Sequence, residues 1–294
     1  MSPQVVRRPR CICRRRVVRV VVIGSVVVVV VAAVGVGLAA RALQHRLAYF
    51  PSSQRLPPAA SVLPGAQDVT LTTSDGLSLV AWFVPPSPGA PVRDQAVLFA
   101  HGNAGALSGR APLAAGLADR GFAVLMLGYR GFSQNPGTPS QDGLVRDALA
   151  GQQELAARGF SADRTIYLGE SIGTGVVTSL AAQVPPAGLV LRSPFTSLPD
   201  VGATVFPIKP LVRFVLNRNT YPVEAQVAAS PVPTTVLHGT DDEVVPTSQS
   251  IAVAAAAQNL FEEVAVEDAG HNDALWMGPT VADAVVRIAD PAAS

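Results

Sequence analysis

The pentapeptide G-E-S-I-G at residues 169–173 constrains the fold of this chain more than any other stretch. It follows the apolar run 165–168, which is typical of a buried strand, and precedes the run 176–182, which is typical of a helix. In the order strand, G-x-S-x-G, helix, the glycines allow a sharp, strained turn that lifts the serine hydroxyl clear of the sheet. An ordinary strand-to-helix loop is the alternative for this stretch alone, so the rest of the sequence decides.

The same alternation of strand and helix continues through residues 67–294. Two β-rich runs around the turn 74–76 predict a hairpin. Further strands are predicted at 96–100, 122–127, 165–168, 188–192, 234–238 and 261–266, and helices at about 105–120, 141–158, 176–182, 247–259 and 273–289. Strands that alternate with helices form a mostly parallel sheet with helices on both faces, so the predicted class is α/β.

Residues with useful side chains follow several of the predicted strands. His101, Ser171, Asp242 and His271 each come directly after a strand or within the loop that follows it. Because the carboxyl ends of parallel strands meet at one edge of a sheet, we expect these residues to converge there. The hydroxyl of Ser171 is the predicted nucleophile of such a site.

The general base is identified by comparing the four histidines of the chain. His45 lies beside a long apolar run. His101 and His238 each precede a glycine at a strand end, where hydrogen bonding to the loop is the commoner role. His271 follows the last strand and completes the order Ser, Asp, His, so it is the predicted base.

A carboxylate is needed to orient the base and stabilise its imidazolium form. The loop 238–246 offers three adjacent acids, of which Asp242 is the first choice and Asp241 the second. N–H donors are needed for the oxyanion. We expect one from Ile172, directly after the nucleophile, and one from Asn103, with Ala104 as the alternative.

An uncharged run of 21 residues, Val20 to Ala40, is long enough to cross a bilayer as a helix. Seven arginines precede the run, whereas only Arg41 and Arg46 follow it closely. The positive-inside rule therefore predicts a single-pass membrane protein with a cytoplasmic N-terminus and an extracytoplasmic catalytic domain. A signal peptide cleaved near residue 40 is the alternative, but the run is longer than its usual apolar region, so we favour an uncleaved anchor.

Charge is divided unevenly along the chain. The first 46 residues hold nine arginines and no acid, which leaves 13 basic and 21 acidic residues in the remainder. An acidic globular region argues against nucleic-acid binding, whereas the basic arm suits anionic lipid headgroups. The predicted organisation is a basic arm (1–19), a transmembrane helix (20–40), an extended proline-rich linker (41–66) and a catalytic domain (67–294). Tyr49 and Phe50 are expected near the membrane interface.

Five motifs carry a resemblance to a known family. They are HGNAG (101–105), GYRGFS (128–133), GESIGTG (169–175), HGTDDEVVP (238–246) and AGHND (269–273). With them the chain resembles the α/β-hydrolase superfamily and, more closely, its membrane-anchored serine hydrolases with an HGNAG loop. The resemblance implies the α/β-hydrolase fold and the roles given above for Ser171, Asp242 and His271. It implies no metal and no organic cofactor. One departure, Q-N-P at 134–136, is expected to affect the pocket rim.

The resemblance also limits the chemistry. Relatives of this type include thioesterases that remove acyl groups from proteins, esterases and proposed aminopeptidases. We predict a serine hydrolase that cleaves carboxylic ester or thioester bonds of a small or lipid-like acyl substrate through an acyl-enzyme. A serine aminopeptidase-type peptidase and a non-catalytic binding domain are the alternatives, since the fold alone would permit either. The oligomeric state is left open.

The segment 194–231 is longer than one crossover helix requires. Its stretch 206–217 is apolar over more than one narrow stripe, with basic residues interspersed. Two interpretations follow: a crossover helix buried on the sheet, or a small cap over Ser171 that shapes an apolar acyl pocket and faces the bilayer. The cap interpretation predicts that Phe214 contributes to this pocket.

Overall fold

In the computed structural model of the protein, the described residues are 22–23, 25, 28–32, 35–37, 48–103, 105–205, 208–217 and 219–290. The chain divides into two compact units, Met1–Gln44 and His45–Ser294. In the first unit, the described residues are helical and their side chains are exposed. Part of the predicted transmembrane helix 20–40 lies outside the described residues, and the helices that are described include none of the length and apolarity needed to span a bilayer.

The described part of the second unit is built on an eight-stranded sheet. Its strands are β1 (Gln67–Thr72), β2 (Ser78–Val84), β3 (Ala96–Ala100), β4 (Ala123–Met126), β5 (Thr165–Glu170), β6 (Gly188–Arg192), β7 (Thr234–Gly239) and β8 (Leu260–Val266). Their order across the sheet is β1-β2-β4-β3-β5-β6-β7-β8. The pairs β1–β2 and β2–β4 are antiparallel and the other neighbours are parallel. The predicted mostly parallel sheet is confirmed.

Helices cover both faces of the sheet. They are α1 (Ala111–Ala118), α2 (Gln141–Ala157), α3 (Ile172–Ala181), α4 (Leu198–Val205), α5 (Lys209–Val215), α6 (Val223–Ala228), α7 (Thr247–Ala256) and α8 (Pro279–Ala289). Neighbouring residues of β3 contribute to different cores: Leu98 packs in one buried cluster, and Val97 and Phe99 pack in the other. Because successive strand residues point to opposite faces, this alternation explains why β3 is apolar throughout.

Two predicted helices, 105–120 and 273–289, are interrupted, so the prediction that they are continuous is wrong. In the structure, a 3-10 turn (Leu107–Arg110) precedes α1, and another (Ala274–Met277) precedes α8. Each longer helix has a proline in its first turn, Pro112 in α1 and Pro279 in α8. Proline has no N–H to donate to the preceding turn, so it favours the start of a helix over its interior.

The described part of the predicted linker packs against the rest of the second unit. The ring of Tyr49 is 2% exposed, and its hydroxyl lies 2.9 Å from the hydroxyl of Tyr221. The carbonyl of Ser52 accepts the N–H of Ser133 at 2.8 Å. Burial of an aromatic ring whose hydroxyl is hydrogen-bonded stabilises this segment. Tyr49 is therefore a core residue of this unit and not an interfacial one, although Phe50 beside it is exposed.

Helices α4, α5 and α6 occupy the segment between β6 and β7. Helix α4 packs closely against the end of α5. A Cβ added at Gly202 would be only 2.9 Å from side-chain carbons of Val212 and Leu216, so glycine permits this close approach. Helix α5 and the residues around it have two faces. Val212, Val215 and Leu216 are buried, whereas Ile208, Leu211 and Phe214 are exposed. Phe206, which the prediction grouped with them, lies outside the described residues.

Candidate active site

Ser171 lies on a strained turn between β5 and α3. Its backbone angles are φ 53° and ψ −118°, a conformation that is rare for any residue with a side chain. Its N–H donates to the carbonyl of Arg192 on β6 at 2.9 Å. A Cβ added at Gly173 would lie 2.0 Å from the carbonyl oxygen of Ala100, and one at Gly169 would lie 2.7 Å from the carbonyl oxygen of Gly173. The close approach of the backbone explains both glycines of the motif.

His271 and Asp242 form a buried pair at the same edge of the sheet. Nδ1 of His271 lies 2.7 Å from Oδ2 of Asp242. The other oxygen of Asp242 accepts the N–H groups of Val244 and Val245 at 3.0 and 2.7 Å. Both members of the pair are 6% exposed. Asp241, the alternative from the sequence, is exposed, so Asp242 is the acid that contacts the histidine.

The protonation state of this pair follows from its surroundings. Burial alone raises the pKa of Asp242, but the hydrogen bonds and charge of His271, the N–H of Val245 and the hydroxyl of Ser193 outweigh burial, and the pKa lies below its usual value. An ionised carboxylate can only accept, so the shared proton resides on Nδ1 of His271. In neutral His271, Nε2 is then free to accept a proton, as a general base requires.

The loop that carries His271 is fixed by hydrogen bonds on both sides. Oδ2 of Asp273 accepts the N–H of Gly270 at 2.7 Å, and Nε1 of Trp276 donates to the carbonyl of Gly270 at 2.8 Å. Nη1 of Arg192 donates to the carbonyl of His271 itself at 2.7 Å. The residues of the AGHND motif therefore have a local role, which is to fix the backbone that presents the imidazole.

Asn103 and Ile172, the two predicted oxyanion donors, line the same cavity as Ser171 and His271. Ile172 is the first residue of α3, and an N–H at that position has no acceptor within its own helix. Oδ1 of Asn103 accepts the N–H of Phe50 at 3.1 Å, which fixes the Asn103 side chain. Ala104, the alternative donor, lies outside the described residues.

The shared cavity has a volume of about 480 Å³ and a largely apolar wall. The apolar residues that line it are Phe50, Ile172, Phe195, Leu198, Val201, Leu216, Val244 and Val245. Leu198 and Val201 belong to α4, and Leu216 follows α5. The segment 194–231 therefore contributes to the wall beside Ser171. Phe214 is not among the lining residues and is 58% exposed, so its predicted contribution to the pocket is wrong.

His101 and His238 hydrogen-bond to structural partners. Nδ1 of His101 donates to the carbonyl of Gly102 at 2.7 Å. Burial, reinforced by the positive charge of Arg110, lowers the pKa of His101 to about 4, so this imidazole is neutral at pH 7. Nε2 of His238 lies 3.0 Å from a carboxylate oxygen of Glu263. Among the described residues, no group of three or more His, Cys, Asp or Glu side chains is arranged to hold a metal ion.

Asn135 serves the sheet, and residues 134–136 do not line the cavity beside Ser171. Oδ1 of Asn135 accepts the N–H of Val80 at 2.8 Å, and Nδ2 of Asn135 donates to the Val80 carbonyl at 3.1 Å. None of the three residues lines the cavity beside Ser171. The expectation that this departure from the family affects the rim is wrong, because the amide side chain satisfies the backbone of β2.

A buried cluster of charged residues beside Ser171 was not predicted. Glu170, the residue before Ser171, contacts both Arg110 and Arg192. The sequence carried one signal for it. An arginine ends the otherwise apolar run 188–192, and a charge within a buried strand requires a partner.

This architecture, a mostly parallel sheet with a serine on the sharp turn after β5 and a His–Asp pair on later loops, is that of an α/β hydrolase. Comparison with known proteins agrees, and the chain belongs to the α/β-hydrolase superfamily. Residues 91–221 match the family described as serine aminopeptidase, S33.

Relatives extend the likeness over most of the chain. The uncharacterized protein Rv2307c of Mycobacterium tuberculosis is 43% identical over 264 residues, which cover 89% of this chain and 92% of that protein. The α/β hydrolase domain-containing protein 17B of Xenopus tropicalis is 32% identical over 208 residues, which cover 68% of this chain and 67% of that protein.

Solved structures show the same fold at lower identity. The α/β hydrolase of Vibrio vulnificus superposes with a TM-score of 0.67 at 22% identity, covering 84% of this chain and 92% of that one. The esterase Pf2001 of Pyrococcus furiosus superposes with a TM-score of 0.64 at 19% identity, covering 83% of this chain and 97% of that one.

Proposed function

We propose that this protein is a serine hydrolase that cleaves carboxylic ester or thioester bonds through an acyl-enzyme on Ser171. The observation that carries the proposal is the 2.7 Å contact between Nδ1 of His271 and the carboxylate of Asp242, because His271 lines the same cavity as Ser171. A nucleophile, a base and an orienting acid at one sheet edge form the constellation that acyl transfer requires.

In the proposed mechanism, His271 accepts the Ser171 proton at Nε2 while the serine oxygen attacks the substrate carbonyl. Asp242 remains ionised and stabilises the imidazolium. His271 then returns the proton to the leaving oxygen or sulfur. In the second half of the reaction, His271 accepts a proton from the water that attacks the acyl-enzyme and returns it to the oxygen of Ser171 as the acid product leaves. The N–H groups of Ile172 and Asn103 stabilise the oxyanion of the tetrahedral intermediates.

The substrate class follows from the wall of the cavity. Helix α4 and the end of α5 form a cap whose aliphatic side chains, with Phe195, present an apolar surface beside the nucleophile. An apolar pocket favours an acyl chain over a charged acyl group, because burial of methylene groups is favourable and burial of an unpaired charge is not. The proposed substrates are therefore esters or thioesters with a hydrocarbon acyl chain.

A serine aminopeptidase is the second candidate, and the match of residues 91–221 to the S33 family favours it. An aminopeptidase needs a carboxylate for the substrate amine. Glu243 lines the cavity and is exposed. Glu170 also lines it, but its carboxylate is paired with Arg110 and Arg192. We rank this activity second because the wall nearest Ser171 is mainly apolar.

The location is proposed from the sequence. The apolar run 20–40, with its arginine-rich N-terminal flank, would anchor the protein with the catalytic unit outside the cytoplasm. Protease treatment of spheroplasts tests the orientation. Digestion of the catalytic unit before membrane lysis is expected, whereas protection until lysis would contradict it.

A substrate panel tests the proposed activity. The purified protein and Ser171→Ala are assayed with p-nitrophenyl acetate and octanoate, an octanoyl thioester and aminoacyl p-nitroanilides. Turnover of the acyl esters or the thioester by the wild type alone is the expected result. Turnover of the anilides alone would favour the peptidase. No turnover of any substrate by a folded sample would favour a non-catalytic binding domain.

A further inference from the structure

Glu170 is a buried carboxylate that the proposed acyl transfer does not use. It is 5% exposed, and Oε1 lies 2.6 Å from Nη2 of Arg110 and 2.9 Å from Nη2 of Arg192. Burial raises the pKa of Glu170, but the charges of Arg192 and Arg110 outweigh burial and lower the pKa to about 2. At neutral pH the Glu170 cluster (Glu170, Arg110 and Arg192) is therefore one buried anion between two cations.

The cluster contacts the backbone at three parts of the proposed site: the Ser171 turn, the His271 loop and the loop of Asn103. Glu170 precedes Ser171, and its partner in the parallel register of β5 and β6 is Arg192. The carbonyl of Arg192 accepts the Ser171 N–H at 2.9 Å, and its guanidinium donates to the His271 carbonyl at 2.7 Å. A Cβ added at Gly102 would lie 2.5 Å from Oε1 of Glu170, so the loop of Asn103 also rests on this carboxylate.

We propose that Glu170 and Arg192 are positioning residues that keep the oxyanion loop, Ser171 and His271 in one arrangement. The inference rests on the proposed function, because it assigns the geometry of that same site. A rigid contact of this kind suits acyl transfer, in which a displacement of about 1 Å at the reacting atoms reduces the rate roughly 100-fold. Glu170 acts through its arginines, and neither residue is assigned a proton-transfer step.

The cluster also sets the electrostatic surroundings of His271. The charged groups that face this imidazole or its loop are Asp242, Arg192, Glu170, Arg110, Glu243 and Asp273. Removal of the Glu170 charge leaves the two arginines uncompensated, which disfavours the imidazolium. Removal of the Arg192 charge has the opposite effect. Both changes follow from charge alone, so the positioning role is measured by kcat, and Arg192→Lys isolates it because that variant keeps the charge.

The test measures kcat, KM and the pH dependence of kcat/KM for the p-nitrophenyl ester turned over best by the wild type. Glu170→Gln is expected to lower kcat by about 10- to 100-fold with KM changed by less than about threefold, and to move the acidic limb to lower pH. Arg192→Met is expected to lower kcat and to move the acidic limb to higher pH. Arg192→Lys retains the charge but cannot contact Glu170 and the His271 carbonyl at the same time through two nitrogens. In this variant kcat is therefore expected to fall, while the acidic limb stays near its wild-type position.

Asp147→Asn is the matched control. Asp147 is buried and its Oδ1 lies 2.7 Å from Nη2 of Arg130, but neither residue lines the cavity beside Ser171. Loss of one partner from a buried pair is destabilising wherever it lies. This variant is expected to unfold at lower denaturant concentration with kcat and the acidic limb unchanged.

The outcomes separate the inference from the proposed function. A folded wild type that turns over no substrate of the panel, and whose Ser171 a fluorophosphonate does not label, would overturn the function. An active wild type whose Glu170→Gln and Arg192→Lys variants keep its kcat and pH profile would overturn the positioning role alone. If Glu170→Gln does not fold, Arg192→Lys decides, because it preserves the charge balance. A folded Arg192→Lys with wild-type kcat would overturn the inference.

Discussion

Nδ1 of His271 lies 2.7 Å from Oδ2 of Asp242, and two backbone N–H groups hold the other oxygen of that carboxylate. The carboxylate is therefore fixed on one side by the loop 242–245 and contacts the imidazole on the other. Because Asp242 stays ionised, it determines which imidazole nitrogen carries the proton. On the proposed mechanism, this contact decides whether Nε2 can act as a base.

Asp242→Asn tests that role directly. An amide in place of the carboxylate loses the charge that stabilises the imidazolium, and can favour the wrong imidazole tautomer. We expect kcat/KM for an acyl ester to fall by roughly 10³- to 10⁴-fold. Asp241→Asn is the matched control, since Asp241 is the exposed neighbour and should retain wild-type kcat/KM. Equal losses in the two variants would contradict the assignment.

The apolar cap should determine acyl-chain length. Val201 lines the cavity from α4, so Val201→Phe fills part of the acyl space. The ratio of kcat/KM for octanoyl over acetyl p-nitrophenyl ester is expected to fall at least about tenfold, because each excluded methylene removes favourable burial. Phe214→Asp is the control. It changes an exposed side chain off the cavity wall, so the ratio should not change. A shift in Phe214→Asp alone would contradict the cap.

His101 should contribute to the pH dependence of stability. Burial, with a contribution from Arg110, lowers its pKa from 6.5 to about 4, so the unfolded chain binds a proton between these values that the folded protein does not. Stability supplied by this neutral histidine is present above pH 6.5 and is lost as pH falls towards 4. His101→Gln should therefore show a smaller loss of unfolding free energy between pH 7 and pH 4.5 in urea titrations. An unchanged loss would show that His101 does not contribute.

Local patterns predicted the sheet and the serine turn because both depend on neighbours in sequence. Most of the strands are short apolar runs, which the sequence shows directly. The glycines at 169 and 173 occupy positions where backbone atoms approach too closely for a Cβ. His271 and the acidic loop that holds Asp241 and Asp242 could be selected from the order Ser, Asp, His, since each follows a strand whose carboxyl end lies at the same edge. The contact that distinguishes Asp242 from Asp241 depends on loop geometry, which the sequence leaves open.

The contacts that were missed join residues distant in sequence. Glu170 meets Arg192 because β5 and β6 pair in one particular register. Tyr49 is buried, and its hydroxyl contacts the hydroxyl of Tyr221, 172 residues away in sequence. The prolines around Tyr49 predicted an extended linker, so this contact was not expected. The cap interpretation assigned Phe214 to the pocket because the stretch 206–217 is apolar on most sides, so the pattern alone could not show which side chains are buried.

Labelling of Ser171 by a fluorophosphonate tests the central claim most directly. The reagent forms a stable bond only with a serine that an adjacent base activates. We expect the wild type to gain one label, located on Ser171 by peptide mass spectrometry, and Ser171→Ala to gain none. Ser179→Ala, which changes a buried serine on α3, should be labelled like the wild type. An unlabelled wild type, or equal labelling of Ser171→Ala, would contradict the account.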